Sequence, residues 1–364
     1  MIKYALVILL ASMITVGCSS PEQRLKQEDN AVAIPTPAVN QASVPRSQGL
    51  ITWDPITDKS KQTTLYLKDL QDNLTEVQYT IWRIADGPQS AHIFSSKDTE
   101  KNFALPFSIQ AFNYKRGEYQ IETVGIKEDG SNIPLVSSTI TFEQTVPILM
   151  YHGIDEYRGV GIKSLYVPPT QFETHMQYLK DNSYTLLTFE RWNERNRVNK
   201  PIFITFDDGM KDNFNAYNVL KKLKDDSFQP AATIYMISAL IDMDGYLSAN
   251  DIKLMSDSGI ISMGSHSVTH DYLTKVPNLE QELEDSSKKI SSITGKPVVS
   301  LAYPIGVYND KVIEHTKKYY DFAVTTNDGH FVKRGLPNEH YLMERIYITP
   351  TMSMNRFIDA IQET

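Results

Sequence analysis

Pro201-Ile202-Phe203-Ile204-Thr205-Phe206-Asp207-Asp208-Gly209 runs six strand-forming residues into two adjacent carboxylates and a glycine. An uninterrupted apolar run ending in a turn signal is the pattern of a strand buried on both faces, as in a parallel sheet. The same rhythm extends outward in both directions. Short apolar runs at 147–151, 185–188, 201–206, 232–237, 260–264, 298–303, 322–325 and 345–348 predict strands. Amphipathic stretches separate them: Phe172, Met176 and Leu179 share one helical face, Leu279 and Leu283 another, and a third helix starts at Ser248 and stops at Gly259. About eight strands alternating with helices in about 220 residues predict an α/β fold, a distorted (β/α) barrel, closed or nearly so, over 146–364.

In such a barrel the chemistry collects at the C-terminal ends of the strands. Strand 147–151 runs into His152, and 201–206 into Asp207-Asp208-Gly209. Strand 260–264 runs into Ser265-His266-Ser267-Val268-Thr269-His270, and 298–303 into Pro304-Ile305-Gly306. Each alone has a plain structural explanation: Asp-Asp after a strand makes a turn or caps a helix, and a single histidine is a satisfied core residue. Together on one rim they point to a metal. Two buried carboxylates side by side push a pKa up unless positive charge neutralises them. One carboxylate with two imidazoles is a three-ligand set that leaves a position open for water, as at a catalytic rather than a structural zinc. The expected cofactor is one divalent ion, Zn2+ ahead of other first-row metals.

Thr205-Phe206-Asp207-Asp208-Gly209 and His266-Ser267-Val268-Thr269-His270 resemble the first two motifs of the polysaccharide deacetylases, the NodB-homology group of carbohydrate esterase family 4, with the likeness spanning about residues 147–350. The resemblance implies Asp207 as general base, Asp208, His266 and His270 as metal ligands, and Leu273 as a lining of the acetyl pocket. Leu301-Ala302-Tyr303-Pro304-Ile305-Gly306 is similar to the third motif. That implies substrate contacts at Tyr303, Pro304 and Ile305, with the Ile305 N–H in the oxyanion hole. Two departures stand out. Ala302 occupies the place of an Arg that orients the base; Arg345 is one candidate substitute, although an ordinary surface or strand-end pairing is the expectation for it. The acid histidine usually follows the other motifs, whereas Ile148-Leu149-Met150-Tyr151-His152 precedes them.

That order is similar to the circularly permuted subgroup that includes the deacetylases of poly-β-1,6-N-acetylglucosamine, and it implies His152 as general acid. His152 stands 55 positions before Asp207, so this reading relies on barrel closure to bring both to one rim. The implied reaction is metal-assisted removal of N-acetyl groups from an N-acetylglucosamine polysaccharide, foremost an exopolysaccharide of that β-1,6 type. Peptidoglycan, chitin oligomers and O-acetylated sugars stay open as substrates, as does a glycan-binding surface lipoprotein with a decayed site. A two-metal phosphoesterase calls for more carboxylates and histidines on the rim.

Upstream, residues 49–145 alternate apolar and polar positions, as in Val77-Tyr79-Ile81 and Ser138-Ile140-Phe142, with turns at Asp86-Gly87-Pro88, Arg116-Gly117 and Asp129-Gly130. This predicts a small all-β sandwich, immunoglobulin- or fibronectin-like. Trp53, Trp82 and Tyr114 read as core aromatics rather than sugar-stacking surfaces. Residues 19–48 hold no aromatic residue and are rich in Ser, Gln, Ala and Pro. They read as a flexible tether with a span on the order of 30 Å. Before it, Lys3 and the uncharged stretch Tyr4–Val16 predict a signal peptide. Thr15-Val16-Gly17-Cys18-Ser19-Ser20 resembles a bacterial lipoprotein processing site, with Thr15 where Leu is usual. A lipidated Cys18 would anchor the protein to the extracytoplasmic face of a bacterial membrane. Within the 364 residues Cys18 is the single cysteine, which leaves no intramolecular disulfide and no cysteine-rich zinc site. Acidic residues outnumber basic ones by 44 to 36, a net charge of -8 that argues against a nucleic-acid partner. The partners expected are an acetylated polysaccharide and a membrane.

Overall fold

The computed structural model describes residues 49–362. The expected leader, its lipidation candidate Cys18 and the tether lie outside the described residues.

Seven strands come first: β1 (Leu50–Trp53), β2 (Gln62–Lys68), β3 (Leu74–Arg83), β4 (His92–Ser96), β5 (Leu105–Ser108), β6 (Gly117–Lys127) and β7 (Asn132–Phe142). They form two antiparallel sheets, ordered β1-β2-β5 and β4-β3-β6-β7. Successive side chains on a strand point to opposite faces, so a period of two decides what is buried. On β3, Val77, Tyr79 and Ile81 are buried while Gln78 and Thr80 are not. Both sheets feed one core, where Leu65, Leu67 and Phe107 join Tyr79, Tyr119, Ile140 and Phe142. Trp53, Trp82 and Tyr114, expected in this core, stand outside it. Trp82 has the opposite parity to buried Ile81 and Arg83, Trp53 ends its strand, and Tyr114 follows β5 in a left-handed turn with φ 58°. Tyr119, near the start of β6, donates its hydroxyl to the Lys115 carbonyl and pins the turn that feeds the strand.

A buried polar seam joins these sheets to the downstream part of the chain, within one compact unit. Arg83, 1% exposed, donates to the carbonyls of Arg116 at 2.7 Å and Val198 at 3.2 Å. The Gln144 backbone N–H donates to Asn196 Oδ1 at 2.9 Å. Satisfying each donor is what lets a guanidinium sit out of water.

The chain then alternates β8 (Ile148–Tyr151), α1 (Pro169–Asp181), β9 (Thr185–Leu187), β10 (Pro201–Phe206), α2 (Asn213–Leu223), β11 (Ala232–Met236), α3 (Ala249–Asp257), β12 (Ile261–Ser265), α4 (Leu279–Thr294), β13 (Ser300–Ala302), α5 (Asp310–Thr316), β14 (Phe322–Val324), β15 (Ile346–Tyr347) and α6 (Met354–Ile361). Every strand expected from the sequence is present. Helix α3 begins where its capping box predicts, with Ser248 Oγ accepting from Asp251 N at 3.1 Å and Asp251 Oδ2 from Ser248 N at 2.9 Å. All pairings in this sheet are parallel, in the order β14-β13-β12-β11-β10-β8-β15, with β9 also on β10. The expected closure is only partial: no ladder joins β14 to β15, and a single bridge between Val324 and Met343 spans the gap. The strands form a half-barrel.

Strand β10 is buried at all six positions, as its composition requires. Ile202, Ile204 and Phe206 pack with helix residues Phe172, Leu220 and Leu283. Phe203, of opposite parity, packs with Ile148, Tyr235 and Val324 on the other face. Period two then assigns Thr205 and Asp207 to the face of Phe203, and Met150 and His152 to the face of Ile148.

Two substitutions test the seven-strand core. Tyr119→Phe is expected to cost about 1 kcal/mol, the worth of one hydrogen bond. Phe107→Ala is expected to cost about 3–5 kcal/mol for the cavity it leaves. Denaturant midpoints report both; a Tyr119→Phe midpoint equal to that of the parent would mean the hydroxyl does not hold the turn.

Candidate functional site

Asp207 leaves β10 beside β8, where Phe206 pairs with Tyr151 and the Asp207 N–H donates to the Tyr151 carbonyl at 3.0 Å. Asp207 and His152 each follow that last rung, close enough for the charge of one to act on the other. The base and acid candidates thus leave the ends of adjacent strands side by side. The sequence reading relied on barrel closure for this, and the sheet order β10-β8 does it instead.

Asp207 is 2% exposed, and its side chain faces a guanidinium that is wholly buried. Arg345 donates from its two terminal nitrogens to Asp207 Oδ1 and Oδ2, each at 2.7 Å, a two-pronged match of fork to carboxylate. Two further donors are also placed: Nε reaches the Thr325 carbonyl at 2.8 Å and Nη1 also reaches Thr205 Oγ1 at 3.1 Å. Burial by itself would raise the Asp207 carboxyl, but the Arg345 charge and hydrogen bonds outweigh it and hold the group well below the usual carboxylate range. Of the surface or strand-end pairing expected for Arg345, the surface part is wrong: the pair is buried, at the end of β10. Arg345 enters just before β15, which pairs with β8, and so reaches the rim from the strand on the far side of His152. The absence of a cation at Ala302 was legible in the sequence; which cation replaced it was not.

Asp208, His266 and His270 converge, each offering one ligand atom, with all three atoms within 4.8 Å of one another. Asp208 Oδ1 lies 3.6 Å from His266 Nε2 and 3.7 Å from His270 Nε2. The backbone is left-handed at Asp208 (φ 72°), Ser267 (φ 64°) and His270 (φ 66°). Such conformations cost about 1–3 kcal/mol each away from glycine and persist where surroundings impose them, commonly at functional sites. His266 Nδ1 lies 2.7 Å from the Ala302 carbonyl. A carbonyl can only accept, so Nδ1 carries the proton and Nε2 presents its lone pair toward Asp208.

Glu282 of α4, not singled out by the sequence, anchors this loop. One of its oxygens accepts from Val268 N and Thr269 N at 2.9 Å each, and the other from Thr269 Oγ1 at 3.0 Å. Burial lowers the pKa of both imidazoles, which favours the neutral, ligating form, and burial foremost raises that of Asp208. Two neutral imidazole nitrogens and a partly buried carboxylate in want of positive charge fit a divalent ion.

His152 stands outside that ligand trio. Its ring meets Tyr347 edge-on at 5.9 Å, and burial foremost lowers its pKa while Asp207 opposes the shift. The third-motif residues behave differently from one another. Ile305 is 48% exposed and left-handed (φ 59°), a strained state for a β-branched residue. Tyr303, expected at the substrate, has no exposed surface and packs in the core against Tyr308 at 5.0 Å. Pro304 is likewise buried, so both support the turn and leave Ile305 as the one facing solvent. Leu273 is also buried, at 2% exposure.

The family model for "Polysaccharide deacetylase" matches residues 194–320. That span holds Asp207, Asp208, His266, His270 and Ile305 but neither His152 nor Arg345. A crystal structure of a polysaccharide deacetylase from Bacillus cereus superposes with a TM-score of 0.84 at 55% identity, covering 87% of this chain and all of that one. YxkH of Bacillus subtilis (strain 168), which carries the same family name, is 34% identical over 272 residues, 71% of this chain and 90% of its own. The poly-beta-1,6-N-acetyl-D-glucosamine N-deacetylase of Staphylococcus aureus is 26% identical over 214 residues, 52% of this chain and 69% of its own.

Breaking the Asp207–Arg345 pair from one side leaves a buried charge unpaired. Arg345→Met is therefore expected to destabilise the protein by about 3–5 kcal/mol, and Asp207→Asn combined with Arg345→Met to recover most of that loss. Chemical denaturation of the single and double variants measures the coupling; strict additivity would remove the pair from the account.

Proposed function

The chain belongs to the polysaccharide deacetylase family, and from that premise we propose that it hydrolyses N-acetyl groups on a poly-β-1,6-N-acetylglucosamine-type exopolysaccharide. The observation that carries the chemistry is the Asp208–His266–His270 donor set beside an ionised, arginine-held Asp207. The likeness to the Staphylococcus aureus enzyme named for that polymer, and a His152 that precedes the other motifs, support the choice of substrate.

Asp208, His266 and His270 would hold one divalent ion, which we read as Zn2+. When bound, such an ion supplies Lewis acidity toward the amide carbonyl and renders a water acidic enough to give up its proton near neutrality. Asp207 accepts that proton. Its lowered pKa makes it a weak base in bulk terms, so its contribution comes from being ionised, dry and fixed in direction by Arg345. The Ile305 N–H, held by its left-handed turn, donates to the oxyanion as the carbonyl carbon becomes tetrahedral. His152 delivers a proton to the amide nitrogen, so the C–N bond breaks to give acetate and an amine. Separate surroundings keep the two roles apart: a guanidinium holds Asp207 ionised, and His152 lies across the adjacent strand.

The remaining assignments belong to the same reading. The β1-β2-β5 and β4-β3-β6-β7 sheets are read as an immunoglobulin- or fibronectin-like sandwich over 49–145, followed by the deacetylase domain over 146–364. Residues 1–18 are a lipoprotein signal and 19–48 a tether, with Cys18 acylated and the enzyme held on the extracytoplasmic face of a membrane.

Free-amine release from zinc-reconstituted protein decides the substrate: the β-1,6 polymer is expected to lead, and a preference for peptidoglycan or chitin oligomers would replace it. His266→Ala is expected to lose bound zinc and turnover together. Asp207→Asn is expected to keep zinc while losing turnover by about 10²-fold or more. Loss of zinc in that second variant would mean the two carboxylates have exchanged roles. Cys18→Ser is expected to move the protein out of the membrane fraction, and unchanged fractionation with unchanged mature mass would exclude the anchor.

A further inference from the structure

A general acid works only within hydrogen-bond reach of the atom it protonates, so something has to fix His152 in place. The sheet does not. The last paired rung of β8 is Tyr151 with Phe206, and His152 lies beyond it. In an extended segment, consecutive residues turn their backbone groups to opposite sides. Gly153 turns toward the segment ahead of α1: its N–H donates to the Leu165 carbonyl and its carbonyl accepts from Val167 N, both at 3.0 Å. His152 and Ile154 turn the other way and meet side chains at the start of α2. The His152 carbonyl accepts from Asn213 Nδ2 at 2.6 Å. The Ile154 N–H donates to Asp212 Oδ1 at 3.2 Å, and the Ile154 carbonyl accepts from Asn215 Nδ2 at 2.9 Å.

We infer that Asp212, Asn213 and Asn215 are positioning residues that clamp the His152–Ile154 backbone and so register the acid against the base. The inference rests on the proposed acid role of His152. Asn213 and Ile154 are wholly buried and the three bonds are part-buried, so a partner lost at either buried end costs about 1–3 kcal/mol. The grip is tight as well as polar. A Cβ on Gly153 would lie 2.9 Å from the Tyr166 ring and 3.0 Å from Asp212 Oδ2. The connection matters most: Asp207 and Asp208 open the loop from β10 to α2, and the clamp closes it. A displacement of α2 moves acid and base together, although 55 positions of sequence separate them.

The test is a double-mutant cycle on zinc-loaded protein with two substrates, an N-acetylated sugar oligomer and an aryl acetate whose phenolate leaves without a proton. Asn213→Ala is expected to lower kcat on the amide by about 10- to 100-fold with KM within about twofold, and to change aryl acetate turnover by less than about threefold. In a His152→Ala background the same change is expected to add less than about twofold, because the residue acts through His152. Asp212→Asn, whose amide oxygen still accepts from Ile154 N, is expected to stay near the parent. Should Asn213→Ala fail to fold, Asn215→Ala runs the same cycle. Equal loss on both substrates, or losses that multiply with His152→Ala, would overturn the clamp while leaving the acid in place. If His152→Ala itself lowers amide and ester turnover equally, the acid role falls and the clamp falls with it.

Discussion

Two adjacent carboxylates follow a strand that is buried at every position, and the charge they carry has to be balanced where one is almost wholly removed from water and the other largely so. The structure solves this by dividing them. Asp207 turns to Arg345, which meets both of its oxygens, and Asp208 turns through a left-handed backbone to two imidazoles. The division produces two electrostatic surroundings a single peptide bond apart. One fixes an ionised carboxylate that cannot leave its partner; the other leaves a carboxylate short of positive charge beside two neutral nitrogens. A charge-balanced carboxylate and an open set of donor atoms result from that split.

Holding the split requires support from elements that contribute no chemistry. Ala302 offers only its backbone carbonyl, yet that carbonyl sets which nitrogen of His266 faces Asp208. Glu282 commits its carboxylate to two backbone N–H groups and a hydroxyl of the loop between the histidines. Gly209 and Gly306 belong to the same support: a Cβ on either would press to 2.5 Å on Met236 Cε or 2.0 Å on Thr326 Oγ1. Four of the left-handed non-glycine residues, Asp208, Ser267, His270 and Ile305, gather on the rim that carries the candidate ligands and the proposed oxyanion donor. A well-packed half-barrel beneath can carry that strain because its strands are buried on both faces.

The two antiparallel sheets stand apart from this chemistry, yet they are not loosely attached. Arg83, Gln144 and Asn196 form a buried seam in which backbone carbonyls take most of the donors. A seam of hydrogen bonds rather than apolar side chains fixes orientation more than it adds stability. The Trp53 and Tyr114 side chains, left on the outside by strand end and turn, give this part exposed aromatic surface that its alternating pattern did not announce.

Local pattern was enough to reveal much of the molecule. The buried run before Asp207 identified a parallel strand, the spacing of Phe172, Met176 and Leu179 a helix face, and His266 with His270 two imidazoles on one loop. Each of those features is encoded within a few residues, where period and burial leave a readable mark. What the sequence could not yield was partnership. Arg345 neutralises Asp207 from 138 positions away, Glu282 braces a loop 13 positions upstream, and the neighbouring of His152 and Asp207 depends on the order of strands in the sheet. Burial of Tyr303 was decided the same way, by Tyr308 and the core closing over a turn whose motif suggested exposure. A buried charge requires a counter-charge, and Ala302 showed that one was missing. Which residue supplies it is fixed by distance in the folded chain, and distance in the fold leaves no period in the sequence.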